Sequence, residues 1–427
     1  MGRGGGVVTT AVETPDVGAG ARSVAWRGGF GRLWGAAVLS SFGDSLRKAA
    51  LPLLAASLTD DPLLIASVTA CGYLPWLVFG LVGGAVADRV DQRRAMWTVD
   101  VARGLLVAAF ALAVALGHAS IGLLIALAVV LTTLQTLFDN AATALLPALV
   151  DRATLGSANA RLLTGQQFAG GLLAAPVVPF LMAAGAGLPY AVDAATYLVA
   201  AVLVASLRVP APEHPPRPAG ATLRSDIAHG LRTLWRDRVL RRLCAATALG
   251  NVGIGALLAT LVVLVTRWLD AGSGGYAAAI TAYAAGSLVG GALAGWLARS
   301  IGRVRSVLAA GTAQIAALVA MGTIRDVVAL VVSMAVFGAM GMVWNVSTHT
   351  LMQERPPAAV LGRVSSAFRT LAVAGAPLGA ILGGAVAALW GPNTPMLLAA
   401  ALFALSVTAL TPALKSADGG QTTQIAR

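Results

Sequence analysis

Gly83-Gly84-Ala85-Val86-Ala87-Asp88-Arg89-Val90-Asp91-Gln92-Arg93-Arg94 is a short charged turn between two long apolar runs, Leu63 to Ala87 and Ala95 to Leu116. Each run can cross a hydrocarbon core as a helix, which takes roughly 20 apolar residues. The turn is too short to hold a domain, so the two helices are antiparallel neighbours. Short cytoplasmic loops collect Lys and Arg, and Arg89, Arg93 and Arg94 therefore assign this turn to the cytoplasmic side. Gly80 and Gly84 stand one helical turn apart and leave room for another helix to approach.

Composition extends that reading to the whole chain. Of 427 residues, 57% are hydrophobic and only 11% are charged. Soluble domains carry about 25% charged residues, so this is a polytopic membrane protein. The net charge of +12 sits mostly in short segments between apolar runs, which is an orientation signal and not a nucleic-acid surface. Cys71 and Cys244 both fall within predicted spans, and no metal-ligand spacing or cofactor motif is visible. Residues 1–32 read as a disordered cytoplasmic tail, because Met1 to Gly28 lacks the apolar core of a cleaved signal.

Hydropathy gives about twelve spans: 33–58, 63–87, 95–116, 120–142, 162–185, 189–207, 243–266, 276–298, 303–323, 327–352, 365–389 and 393–413. Alternate loops then hold the Arg residues, and both termini, including the tail 414–427, fall in the cytoplasm of a cell (inner) membrane protein. The loops assigned outside are short and poor in cations, with Arg267 and Arg325 as exceptions that each have an Asp close by. The longest loop, 208–242, opens Pro-rich. It continues as Leu223-x-x-x-Ile227-x-x-x-Leu231-x-x-Leu234-Trp235 with Arg between, the spacing of an amphipathic helix on the inner membrane surface.

That loop separates two similar halves, 33–207 and 243–413. Phe138-Asp139-Asn140 matches Trp344-Asn345-Val346, and Leu155-Gly156 matches Leu361-Gly362, at one offset of 206 residues. The opening turn also has a counterpart, Gly295-Trp296-Leu297-Ala298-Arg299-Ser300-Ile301-Gly302-Arg303, with Arg299 where Asp88 stands. The expected fold is an all-α membrane protein of two pseudo-symmetric six-helix bundles. A site between two such halves can be exposed to either side by rocking them.

Polar residues inside spans are costly and usually face a cavity. The densest group is Asp44, Arg47 and Lys48, where both cations can reach back to Asp44 on one helix face. Counting from Trp34, Asp44 lies roughly 15 Å deep. It reads either as a proton- or substrate-linked carboxylate or as a structural ion pair. Gln135, Asp139 and Asn140 end the fourth span, and Asn345 and His349 hold the matching place in the second half. Asp139 reads as a cavity acid or a helix-end charge, and His349 as a titrating or a hydrogen-bonded group. Gln166, Gln167, Asn251 and Gln314 are uncharged candidates for the cavity or for helix contacts. Asp100 and Arg103 are spaced to pair near the cytoplasmic end of the third span. Asp193 is expected about one turn in from the outer surface, with its carboxylate in reach of water.

The charged turn resembles the signature G-x-L-A-D-R-x-G-R-R between the second and third helices of the major facilitator superfamily. Gly84, Ala87, Asp88, Arg89 and Arg93 match. Val86, Asp91 and Gln92 depart from it, and Arg94 lies just beyond. Ser41-Phe42-Gly43-Asp44, Ala50-Leu51-Pro52-Leu53, Leu74-Pro75, Asp100, Asn159-Ala160 and Asp193-Ala194-Ala195 look like that superfamily's enterobactin-exporter and macrolide-efflux branch. Gly170-Gly171-Leu172-Leu173-Ala174-Ala175-Pro176 loosely resembles the fifth-helix Gly-Pro motif of drug/proton antiporters. The resemblance implies the twelve-helix fold of that superfamily and proton-driven export of a small, often amphipathic molecule. It also implies a gate braced by Gly84, Asp88, Arg89, Arg93 and Arg94, with Asp100 and Arg103 beside it.

The expected partners are a small-molecule substrate, protons and the bilayer, for a monomer with no nucleic acid. An importer or lipid flippase on the same scaffold and a non-transporting membrane sensor are the alternatives. An enzyme is not expected, since no phosphate-cradling Gly loop, HExxH or nucleophile triad is present.

Overall fold

The computed structural model describes residues 29–79, 91–150, 154–207, 231–354 and 361–425. The elements are helices throughout these residues. The first half contributes α1 (Gly29–Leu58), α2 (Pro62–Phe79), α3 (Gln92–Ala115) and α4 (Ile121–Leu149). Next come α5, built of Leu155–Gln166, a π-helical stretch Gln167–Leu173 and Ala174–Ala184, and α6 (Leu188–Ala205). The second half holds α7 (Arg238–Val263, closing in a π turn Leu264–Trp268), α8 (Gly272–Ser300), α9 (Arg303–Thr323) and α10 (Val327–Glu354). It ends with α11 (Leu361–Val373 and Gly375–Trp390) and α12 (Thr394–Ile425).

Ten of these helices, α3 to α12, are long and apolar enough to cross a membrane, by length and composition. The expectation of about twelve spans is met to that extent. α1 is long enough, but its middle carries Asp44, Arg47 and Lys48. The apolar stretch of α2 is the shorter Pro62–Trp76. Large apolar side chains such as Phe180, Val202 and Leu389 are exposed on the outside of the bundle, as a lipid-facing surface requires.

Polar residues set several helix starts. The side chain of Asp91 accepts from the amide of Arg94 at 3.1 Å, and that of Asp237 accepts from Val239 and Leu240. Asp91 sits where the repeated turn has Gly302. Gly302 takes φ +85°, a conformation that suits glycine, whereas Asp91 caps α3 from an extended φ of −60°. The departure from glycine at 91 is thereby accounted for: this turn starts its helix with a side-chain cap.

Packing repeats between the halves. α1 lies on α5 and α6, α3 on α4 and α6, and α2 on α4. Correspondingly α7 lies on α11 and α12, α9 on α10 and α12, and α8 on α10. The main contacts between halves are α2 on α11 and α5 on α8, which are exchanged by the same six-helix shift. Small residues permit the closest approaches. A Cβ on Gly384 of α11 would stand 2.7 Å from the Ala66 Cβ of α2, and one on Gly171 of α5 would stand 3.2 Å from the Ala284 Cβ of α8. Gly379 and Gly255 likewise set α11 and α7 backbone against backbone.

The two ends of the bundle differ. Near the short loops after α1, α3, α5, α7, α9 and α11, one apolar core joins both halves, from Leu51 and Leu54 through Leu257 and Leu261 to Phe337 and Phe403. Arg267 reinforces it by bridging from the π turn of α7 to Thr59 and Asp60 after α1. At the opposite, Arg-rich end the described residues form two separate cores. Phe30, Met96, Phe138 and Val204 belong to the first half, and Leu243, Val307, Val364 and Leu410 to the second. Of the loop 208–242, residues 208–230 lie outside the described set. Residues 231–236 are helical, with Leu231 and Trp235 exposed and Leu234 buried.

Candidate functional site

Gly43 determines how the site is built. A Cβ there would stand 2.5 Å from Asp193 Oδ1 and would collide with the Thr196 hydroxyl, so only glycine lets α6 press this closely on α1. The contact brings Asp193 beside Arg47. Arg47 Nε donates to Asp193 Oδ2 at 2.9 Å, and its Nη2 donates to Asp44 Oδ1 at 2.6 Å. The Tyr197 hydroxyl, one turn beyond Asp193, donates to the same Asp44 oxygen. From α3, Arg103 Nη1 donates to Asp100 Oδ1 at 3.0 Å, and its Nη2 lies 3.8 Å from Asp44 Oδ2. The Arg103 guanidinium also stacks 4.4 Å from the Tyr197 ring centroid and 5.4 Å from that of Phe138.

The result is one buried network of three carboxylates and two guanidiniums drawn from α1, α3 and α6. Asp100, Arg103 and Asp193 are fully buried, and Asp44 and Arg47 are 7% and 6% exposed. Charges this deep persist only when paired and hydrogen-bonded. The pairing here is incomplete: Asp193 Oδ1, Asp100 Oδ2 and Arg103 Nε have no hydrogen-bond partner among the described residues.

Two members of the network, Asp44 and Arg47, line a cavity of about 570 Å³, within the range of small-molecule sites. Asp44, Ser45, Arg47 and Lys48 of α1, Thr69, Tyr73 and Trp76 of α2, and Thr132 and Gln135 of α4 line its polar side. The second half supplies Leu258, Tyr276 and Ile280. The cavity therefore lies between the halves, polar on one side and mainly apolar on the other.

Asp44, Arg47 and Gln135 thus stand together on the cavity wall. Gln166 does not line it, and its carbonyl accepts from the Ser41 hydroxyl at 3.2 Å. Asn251 donates to the Ala372 carbonyl at 2.9 Å, a contact between α7 and α11, and Asn345 is exposed elsewhere. The side chains of Asp139 and His349 lie outside the described residues, as do Gly84, Asp88 and Arg89 entirely. Arg93 donates to the Ala205 carbonyl at the end of α6. Arg94 is exposed, 3.7 Å from its cap residue Asp91.

One of these expectations needs correction. Asp193 does not reach water but is fully buried against Arg47, because depth along a helix says nothing of the face presented. Asp100 and Arg103 pair as expected, and their pair joins the Asp44 network. Lys48 acts on Asp44 electrostatically along the same helix face, as its spacing predicts, and is exposed on the cavity wall. Tyr197 went unremarked in the sequence, although its place four residues after Asp193 puts both on one face of α6.

Comparison with known proteins agrees with this geometry. The Major Facilitator Superfamily profile matches residues 33–380. The chain is 28% identical over 369 residues to the multidrug efflux pump Tap of Mycolicibacterium fortuitum, covering 82% of this chain and 87% of that protein. It is 25% identical over 313 residues to the enterobactin exporter EntS of Escherichia coli, covering 73% and 74%. Among solved structures, a mutant of the nucleoside transporter NupG superposes with a TM-score of 0.74 at 12% identity, covering 90% of this chain and 99% of that one.

Proposed function

Given that the chain belongs to the major facilitator superfamily, we propose that this membrane transporter is a proton-coupled exporter of a small amphipathic molecule. The observation that carries the reading is the cavity between the halves, lined by Asp44 and Arg47 of the buried network, in a bundle where one core joins both halves. The units are residues 33–207 and 243–413, linked by 208–242. They rock about the α2–α11 and α5–α8 contacts. On this reading the Arg-rich end faces the cytoplasm with both termini on that side, and the substrate reaches the cavity from there.

In this cycle a substrate enters from the cytoplasmic end, the two cores close on each other there, and the opposite end parts. Asp44 is the acid of the network that meets the cavity, and it exchanges the proton that drives the return. Export is favoured over import because the two curated relatives are named as an efflux pump and an exporter.

The test is uptake of an amphipathic dye into inverted membrane vesicles energised by a proton gradient. Uptake above that of vesicles lacking the protein, lost when a protonophore is added, is expected. Uptake indifferent to the protonophore would remove the coupling, and no uptake of any dye in a broad panel would remove export.

A further inference from the structure

The chain's most crowded run of cations lies at the entry to the second half. Arg232, Arg236, Arg238, Arg241 and Arg242 fall within residues 232–242, with Asp237 as the one acid among them. Residues 231–236 form a short helix, and α7 begins at Arg238. The break between them is fixed at two points. Asp237 Oδ1 accepts from the amides of Val239 and Leu240 at 2.7 and 3.1 Å, and Arg241 Nη1 donates to the Trp235 carbonyl at 3.1 Å. Inward, Leu234 packs with Leu240, Leu243 and Cys244 in the core of the second half. Outward, the short helix shows Leu231, Arg232, Trp235 and Arg236, and α7 shows Arg238, Arg241 and Arg242 from one face.

This face lies at the depth of lipid headgroups. The helical run Arg238–Trp268 has 31 residues. At about 1.5 Å per residue it is roughly 46 Å long, against a hydrocarbon core of about 30 Å. Its far end is the π turn, whose Arg267 meets the loop after α1. Part of the surplus length therefore falls at the Arg238 end and carries the arginines past the hydrocarbon edge. Arg232, Arg236, Arg238 and Arg242 make no hydrogen bond or ion pair among the described residues. Even with Asp237 counted at full charge, five guanidiniums against one carboxylate leave this face strongly positive. Trp235 is 54% exposed, and tryptophan settles where acyl chains meet headgroups. Clustered arginines beside a membrane-crossing helix attract anionic lipid. We infer that the bent helix pair 231–242 is a docking surface for anionic phospholipid headgroups of the leaflet at the Arg-rich end, with Leu231 and Trp235 set against the acyl boundary. Because Leu234 belongs to the second half's core, the lipid is held by that half. The assignment is independent of what the cavity carries.

The test measures quenching of Trp235 fluorescence in the full-length protein in phosphatidylcholine nanodiscs. Phosphatidylglycerol or phosphatidylcholine with brominated acyl chains replaces the plain lipid in steps. The Trp235→Phe protein supplies the background from the other tryptophans. An arginine near the surface supplies roughly a fivefold preference for anionic lipid. Half-maximal quenching in wild type should therefore need on the order of tenfold less brominated phosphatidylglycerol than brominated phosphatidylcholine. Arg232→Gln with Arg236→Gln should cut that preference by roughly fivefold or more, and Arg232→Lys with Arg236→Lys should keep it. Arg299→Gln with Arg305→Gln, which removes two exposed arginines flanking the α8–α9 turn, should also keep it. Equal quenching by the two lipids, no quenching of Trp235 by either, or an unchanged preference after Arg232→Gln with Arg236→Gln would overturn the assignment. An equal loss after Arg299→Gln with Arg305→Gln would do the same, by showing a field spread over the whole end. Loss of the preference on adding inorganic phosphate at matched ionic strength would also overturn it, marking the face as a site for soluble anions.

Discussion

The bridge from Arg267 can be cut by one substitution. Arg267 Nη2 donates to the Thr59 carbonyl at 2.9 Å and lies 3.0 Å from Asp60 Oδ1, while Nη1 donates to the Asp60 carbonyl. These bonds cross from one half to the other at the end that must part when the cavity opens there. The Asp60 carboxylate is fully exposed, so its pairing contributes little. The Arg267 side chain is 26% exposed. A hydrogen bond to a charged group contributes about 1.5–3 kcal/mol, and discounting for solvent leaves about 1 kcal/mol for each of the two carbonyl bonds. Arg267→Ala should therefore favour opening by about 2 kcal/mol, a rise of roughly thirtyfold in the population open at that end. Asp60→Asn should do little, because the backbone carbonyls remain. The assay places a cysteine at Thr69 on the cavity wall, in a background with Cys71 and Cys244 replaced by Ser. Its labelling by an impermeant maleimide added from the Arg267 side is then timed. Unchanged labelling in Arg267→Ala, or equal acceleration by Asp60→Asn, would refute the reasoning.

Other outcomes follow from the same geometry. Asp44→Asn should abolish accumulation driven by the proton gradient while substrate exchange across vesicles continues; paired accumulation and counterflow assays check this. Gly43→Ala forces α1 off α6 and should lower stability by about 1–3 kcal/mol. Gly35→Ala, whose new Cβ meets only Leu203 Cδ1 at 3.8 Å, should be nearly silent in the same detergent melting experiment. Asp193→Ala removes one of the two carboxylates on Arg47, leaving Asp44 in place, and should cost at most about 3–5 kcal/mol. A melting temperature unchanged in Asp193→Ala would show that the Asp193 contact does not hold α6 to α1.

Local and repeating features could be read from the sequence. The charged turn, the 206-residue offset and the spacing of Asp44 with Arg47, and of Asp100 with Arg103, all involve neighbours on one helix or copies of one pattern. What sequence order cannot supply is which faces meet. Arg47 and Asp193 are 146 residues apart, and their contact depends on Gly43 making room between α1 and α6. The same limit explains Tyr197 and Arg103: helical spacing correctly gives Lys48 and Arg47 as cations acting on Asp44, but not the groups that α3 and α6 bring to it. The α1 helix illustrates a different conflict. Its charged middle lowers its apolar character, and its place in the bundle is secured by packing on α5 and α6.

The buried ions of α1, α3 and α6 all ride on the same half of the molecule. Were one half to swing over the other, none of those bonds would be stretched, and the electrostatic interior would travel as rigid freight. What meets at the α2–α11 and α5–α8 seams includes methyl and bare backbone, at Ala66, Gly384, Gly171 and Ala284, with no charge among these four. On the proposed cycle, such seams let the halves shift without an ion pair being broken between them.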